Sequence, residues 1–316
     1  MKIALYDVDS AIPNLAIMKL SAFHKREGDE VFKYIPLLHS TYDRIYASKV
    51  FKFSDGSRIT EDMISGGTGL DLKTELPEEI DRMVPDYSFY DFPHSIGFTM
   101  RGCRFDCSFC VVPRKEGRPY SSNTIEEIWT QRDSKFLILL DNDFFGNPEW
   151  KDRIEEIIRL KLRVNFSQGL NIRIISERQA QALSKVHFRS LSGKTKLITF
   201  AWDRPEDERS IVRGLRRVIN AGIRPKDIQF YVLIGFDTTP EDDIYRVEKL
   251  KEFGPVSIYV MAYDKTDPYQ RAFQTYVNSR SVHKKIDFKD FDRRIEYQER
   301  LIRNNPPDER QMELFA

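Results

Sequence analysis

The sequence has almost no cysteine: three in 316 residues. An odd count, in a chain that starts MKIALYDVD and shows no export signal, excludes a disulfide framework. An excess of one charge sign is also lacking, with 50 Lys and Arg against 49 Asp and Glu and a formal net charge of +1. That balance excludes a strongly basic nucleic-acid binder and leaves room only for a local patch. No apolar run approaches the roughly 20 residues that span a bilayer. Near the start, acidic residues arrive where a signal peptide needs an apolar run and a cleavage site. This stretch therefore reads as a buried strand, and the expected location is cytoplasmic with no membrane contact. Internal repeats and low-complexity segments are missing too. What the chain does have is 41% hydrophobic and 12% aromatic residues, too many for disorder. Its length suits two domains or one large α/β domain with a sizeable core.

Patterning divides the chain into three parts. Residues 1–92 read as a small α/β domain, with an apolar strand at Lys2–Tyr6 and a helix from Asn14 to Glu27 stopped by Gly28. Extended runs follow at Glu30–Phe32 and Arg44–Ser48, then a flexible turn at Gly66–Gly69 and a short helix opening at Leu76-Pro77-Glu78-Glu79. The aromatic stretch Tyr87–Phe92 is expected to be the boundary. Residues 93–265 alternate regularly. Strands are predicted at Ile96–Met100, Phe136–Leu140, Val164–Phe166, Leu197–Ala201, Ile228–Ile234 and Val256–Met261. Helices between them include Ile125–Trp129, capped by Asn123 or Thr124, then Pro148–Leu160, Glu177–Val186, Glu206–Ala221 and Pro240–Phe253. Such alternation demands parallel strands with right-handed crossovers. Six units are too few for the closed eight-unit barrel, so the expected fold is α/β, a partial (β/α)6 barrel of the TIM type. Residues 266–316 read as a helical C-terminal extension and tail, broken at Asn304-Asn305-Pro306-Pro307.

All three cysteines fall in one segment, Arg101-Gly102-Cys103-Arg104-Phe105-Asp106-Cys107-Ser108-Phe109-Cys110, a C-x3-C-x2-C pattern directly after the first alternating strand. In such folds catalytic groups sit on loops at the C-terminal ends of strands. Three thiolates on one loop can converge on one centre, and soft sulfur selects an iron–sulfur cluster, zinc or copper. A closed zinc site wants four ligands. The fourth cysteine is absent, and His94, the one nearby substitute, lies at the opposite end of the strand. Three cysteines on a four-iron cluster leave one iron open.

This spacing, with Phe109 just before the third cysteine, resembles the signature of the radical S-adenosylmethionine (radical SAM) superfamily. The resemblance covers about residues 94–265. It implies a [4Fe–4S] cluster held by Cys103, Cys107 and Cys110, with the open iron chelated by S-adenosylmethionine. One electron, from a donor such as flavodoxin or ferredoxin, would release a 5′-deoxyadenosyl radical that abstracts hydrogen from a substrate. In that family the second-strand loop approaches the methionine ammonium, and Asp141, Asn142 and Asp143 supply acceptors there, unless they merely cap the next helix. That loop departs from the usual Gly-Gly-Glu form and is more similar to the branch carrying an N-terminal cobalamin-type domain. Gln168, Asn171 and Arg173, after the third strand, suit a ribose or carboxylate. Asp203 and Arg204 end the fourth strand, either as a site or as an ion pair capping the acidic helix that follows. Gly235, after the fifth, matches the family's stretch near the adenine, though a plain turn also uses glycine.

Residues 13–31 resemble the first helix of the cobalamin-binding domain, but the Asp-x-His-x-x-Gly lower-ligand motif is missing; His24 lies within the helix and His39 lacks the glycine. A degenerate copy that covers one end of the barrel is expected. The ending Gln311-Met312-Glu313-Leu314-Phe315-Ala316 resembles the peptide by which bacterial DNA-processing proteins dock on the sliding clamp; the plain alternative is a tail packed on its own barrel. Arg104, Arg114, Lys115, Arg118 and Tyr120 suit a small anionic substrate such as a nucleotide, or form a solvated face. With no further cysteine, an auxiliary cluster or a cysteine-borne methyl or thiyl group is excluded. A radical SAM enzyme is the leading expectation, with a cobalamin-dependent radical SAM methyltransferase and a non-catalytic iron–sulfur scaffold as alternatives.

Overall fold

The structure, a computed structural model, describes residues 1–279 together with Asp287, Phe288 and Phe291. The tail segment Gln311–Phe315 and most of the expected C-terminal extension lie outside the described residues. The chain parts into two compact units, Met1–Gln168 with Lys185–Thr195, and Gly169–Ser184 with the described residues from Lys196 onward.

The first unit opens with a parallel sheet in the order β2-β1-β3-β4, formed by β1 (Lys2–Asp7), β2 (Glu30–Lys33), β3 (Arg44–Ser48) and β4 (Ile64–Gly66). Helix α1 (Leu15–Arg26) makes the crossover from β1 to β2. Its first turn is capped by Asn14, whose side chain accepts from the amides of Ala16 and Ile17. Ile17 and Leu20 of α1 pack on Ile3 and Leu5 of β1 and on Ile80 of α2 (Glu78–Asp81). The glycine stretch at 66–69, expected as a flexible turn, begins inside β4, because Gly66 pairs with Ser48.

The expected boundary at 92 falls inside this unit. Tyr87 is buried in one core cluster with Met18, Ile96, Phe136, Ile138 and Leu140, and Tyr90 and Phe92 pack against it. Aromatic side chains of 87–92 thus fill a core, which is why the stretch does not behave as a linker.

The single strand expected over 96–100 is found as two. Strand β5 (Ser95–Gly97) belongs to a second parallel sheet, and β6 (Met100–Arg101) pairs antiparallel with β7 (Tyr120–Ser121). Short helices α3 (Val112–Glu116) and α4 (Ile125–Ile128) flank β7, and α4 is closed by a Thr124–Glu127 capping box. Strand β8 (Phe136–Leu139), helix α5 (Trp150–Arg159), strand β9 (Arg163–Phe166) and strand β10 (His187–Phe188) complete the sheet, in the order β10-β9-β8-β5.

In the second unit, α6 (Glu177–Ser184) packs on α7 (Glu208–Asn220). Gly214 of α7 approaches the Ile172 carbonyl so closely that a Cβ there would stand 2.1 Å from its oxygen. Strands β11 (Ile198–Ala201), β12 (Ile228–Ile234) and β13 (Ser257–Ala262) form a parallel three-stranded sheet, and Leu170 bridges to Phe200. Helix α8 (Pro240–Lys251) starts from a Thr239–Asp242 capping box. It carries a fully buried pair, Arg246 and Asp243, 2.5 Å apart. Arg246 also donates to the carbonyls of Trp202 and Leu233, both at 2.9 Å, clamping the ends of β11 and β12 together. Helix α9 (Pro268–Asn278) covers the edge of β13, where Asn278 Oδ1 accepts from the Val260 amide at 2.8 Å and Gln274 donates to its carbonyl at 3.1 Å.

The architecture is therefore α/β with parallel sheets. Among the described residues no closed barrel forms; the expected strands lie in two separate parallel sheets, apart from Met100 of the first, which pairs in β6-β7, and β10 is an addition. The expected boundary at 265 falls within the second unit. Among the described residues no helix is long and apolar enough to cross a membrane.

Candidate functional site

The cysteine loop leaves β6 at Gly102 and returns at α3. Gly102 has φ +79°, and a Cβ on it would stand 2.4 Å from the Arg118 carbonyl oxygen, so only glycine fits here. The Cys103 amide donates to the Gly117 carbonyl at 3.1 Å, which closes the loop into a ring, and the Cys110 amide donates to the Cys107 carbonyl at 2.9 Å.

Two acidic groups brace the ring. Glu116, ending α3, accepts from Arg101 Nη2 at 2.6 Å, from the Gly102 amide at 2.9 Å and from Asn142 Nδ2 at 2.9 Å. Asp143, only 1% exposed, accepts from Arg104 Nε at 2.6 Å and Nη2 at 2.8 Å, a two-pronged grip that fixes the loop beside the segment after β8. Arg118 donates to the Arg104 carbonyl at 3.3 Å. Arg104 and Arg118, expected to meet a substrate, thus also serve the loop itself.

Asp141 explains the broken strand. Its Oδ1 accepts from the amides of Thr99 at 2.7 Å and Met100 at 3.1 Å, and its Oδ2 from Thr99 Oγ1 at 2.7 Å. A side chain here replaces the neighbouring strand as partner for two backbone amides, and the chain turns toward β7. Burial pushes the Asp141 carboxyl up to about 6, against the pull of these hydrogen bonds. Asn147 adds a bond to the Thr99 carbonyl at 3.1 Å. Asp141, Asn142 and Asp143, expected as acceptors for an ammonium, are here bonded to Thr99 and Met100, to Glu116, and to Arg104 respectively.

The three cysteines and Phe109 are half-buried, and none of the cysteines is in a disulfide. Burial pushes the Cys103 thiol up to about 11, with Asp143, Cys110 and Cys107 adding in the same direction. Among the described residues no three His, Cys, Asp or Glu side chains are grouped so as to hold a metal ion, so the thiols share a loop without standing as a finished ligand set. Their chemistry still fits a soft, positively charged iron centre, because the negative charge that burial and mutual repulsion disfavour is what such a centre would neutralise. His94 stays away from them: it bonds Ser134 at 2.8 Å, at the other end of β5.

Gln168 is exposed after β9. In the second unit, Asn171 Oδ1 accepts from the Arg173 amide at 3.1 Å, and Arg173 Nη1 donates to Asp207 at 2.9 Å. Asp203 accepts from the Leu233 amide at 3.3 Å, and burial raises its pKa. Arg204 pairs with Asp207 at 3.1 Å, at the entry to α7, which is the helix-capping alternative. Gly235 has φ +74°, and the Gln270 carboxamide fills the space of its missing Cβ, 2.1 Å from where that atom would stand. Sequence reasoning missed Glu116. Its one signal is an acidic residue closing the basic run Arg114-Lys115 just before a glycine.

No model of a known protein family matches the chain, and no curated protein matches it.

Proposed function

We propose that the chain is a radical SAM enzyme, its alternating region a partial (β/α)6 barrel, working in the cytoplasm with an electron donor of the flavodoxin or ferredoxin kind. The observation that carries this reading is the C-x3-C-x2-C loop that leaves β6, shortly after the parallel-sheet strand β5, and is braced from outside the motif by Glu116 and Asp143. Cys103, Cys107 and Cys110 would hold a [4Fe–4S] cluster, which with S-adenosylmethionine supplies one-electron cleavage of the sulfonium and a carbon radical for hydrogen abstraction.

The residues of the chain prepare that site. Asp141 holds the amides of Thr99 and Met100 and so ends the strand where the loop must begin. Glu116 neutralises Arg101 and anchors the Gly102 amide, which sets the direction of the first cysteine. Burial favours the protonated Cys103 thiol, which would give up its proton when a cluster binds. Asn142 and Gln168, in the unit that carries the cysteine loop, remain proposed contacts to S-adenosylmethionine, and a small or nucleotide-type molecule the proposed substrate.

In the N-terminal sheet region neither histidine offers cobalamin a lower ligand. His24 is bonded to Asp29 at 2.7 Å and Tyr46 at 3.1 Å, and His39 to Tyr34 at 3.0 Å and Asp62 at 2.7 Å, so both rings have both nitrogens engaged.

Anaerobic reconstitution with iron and sulfide, followed by reduction in the presence of S-adenosylmethionine, tests the proposal. 5′-Deoxyadenosine is expected, and it should vanish in Cys107→Ala. A chain that takes up the iron yet forms none of this product is the scaffold instead.

A further inference from the structure

At the end of the second sheet away from the cysteine loop lies an open cleft of about 490 Å3, lined by His94, Phe136, Arg163, Arg189, Ser192 and Lys194. It sits where strands begin: His94 precedes β5, and Phe136 and Arg163 are the first residues of β8 and β9. Three of its lining residues are cations and none is an acid.

The register builds this cluster. His187 of β10 lies beside Arg163 of β9, and alternation along the strand returns Arg189 to the same face. The carbonyl of Arg189 accepts from Asn165 Nδ2 at 2.8 Å, and its amide donates to the Val164 carbonyl at 2.8 Å, which fixes its backbone against β9. Lys194 is carried by a closed turn in which the Ser190 amide donates to Thr195 and the Gly193 amide to Ser190, both at 2.8 Å. Gly193 at φ +71° lets this turn lie on Phe136, whose ring carbons are 3.4 Å from where a Cβ would be.

Arg189 Nη1 donates to the Phe188 carbonyl at 3.0 Å, and no acid lines the pocket beside Arg163, Arg189 and Lys194. Like charges gathered on one face repel, and an anion between them relieves the repulsion. Ser134 Oγ accepts from the Phe136 amide at 3.1 Å and shares a hydrogen bond with His94 Nδ1 at 2.8 Å, which fixes the imidazole at the rim of the pocket. Burial, with Arg163 nearby, lowers the pKa of this imidazole.

We propose that this pocket binds a phosphorylated small molecule, with Arg163, Arg189 and Lys194 on the phosphate and His94 beside it. Two planar guanidiniums match phosphate oxygens in pairs, which they do poorly with a spherical halide. The volume lies within the range of small-molecule sites, so room remains for the body of the ligand. The site is independent of the cysteine loop and of any chemistry there.

Calorimetric titration of the full chain with inorganic phosphate and with pyrophosphate tests this, at matched ionic strength against nitrate. Saturable one-site binding of pyrophosphate is expected, weakened about tenfold or more in Arg163→Gln and in Lys194→Gln. Both side chains are exposed, so each variant should fold, and an imidazole resonance of His94 should move with pyrophosphate. Equal heats with nitrate, or affinity unchanged in both variants, would overturn the site. A single-stranded oligonucleotide that binds through the same two residues more tightly than pyrophosphate would overturn the small-molecule assignment in favour of nucleic acid.

Discussion

Replacing Asp141 by asparagine should leave the protein at least as stable at neutral pH, although it removes a buried carboxylate with three hydrogen bonds. In the folded chain this carboxyl holds its proton up to about pH 6, whereas unfolded it releases it near 3.8. Between those values the folded state binds more protons, so rising pH lowers stability there. Above about 6 the loss is complete, and the gap from 3.8 amounts to about 3 kcal/mol at 1.36 kcal/mol per pH unit. Asparagine keeps an oxygen for the amides of Thr99 and Met100, and its Nδ2 can donate to Thr99 Oγ1, which changes from donor to acceptor. The assay is urea unfolding of both proteins from about pH 4 to about pH 7. The variant's stability relative to wild type should climb across that window by up to about 3 kcal/mol, from near equality at the acid end. Taking the difference cancels every other titrating group. Parallel pH curves, or a variant about 1 kcal/mol or more less stable at neutral pH, would refute the reasoning and mean that Asp141 is ionised throughout that window and net stabilising.

Three further outcomes follow from the same structure. Gly102→Ala combines a left-handed backbone with a Cβ 2.4 Å from a carbonyl oxygen, and should cost at least about 2 kcal/mol in chemical unfolding. Glu116→Gln turns an amide donor toward one of three existing donors and weakens about 1.5–3 kcal/mol of charged hydrogen bonding. Iron retained after reconstitution should therefore fall while far-ultraviolet circular dichroism stays that of the wild type. Asp243→Ala strands the fully buried Arg246 and should destabilise the chain by about 3–5 kcal/mol, read from the shift of its urea transition.

Much of the fold was legible because its signals are local. Thr124, one of the two residues expected to cap its helix, bonds an amide three residues on, and Asn14, expected as the first residue of its helix, caps it through amides two and three residues on. Alternating apolar runs placed β8, β9, β11, β12 and β13 within a residue or two. What stayed hidden depends on partners far along the chain. Nothing near Thr99 tells that Asp141, 42 residues later, will take its amide and split a strand. Tyr87–Phe92 reads as a linker until Met18 and Phe136 are brought to it from both sides. The cysteine loop was legible as a motif, since its spacing lies within ten residues. The braces were not, because Glu116 and Asp143 are identified only by the arginines and amides they meet.

The Cys103 to Gly117 hydrogen bond, with Glu116 inside the span it closes, makes the cysteine segment a loop whose shape is stored outside the cysteines. A synthetic peptide copied from residues 101–110 would carry all three sulfurs and none of the acids that orient them. The smallest portable piece of this site runs from Thr99 to Asn147, so a transplant into another scaffold, or a deletion between Val111 and Gly117 that spares every cysteine, acts on the site as surely as removing a sulfur.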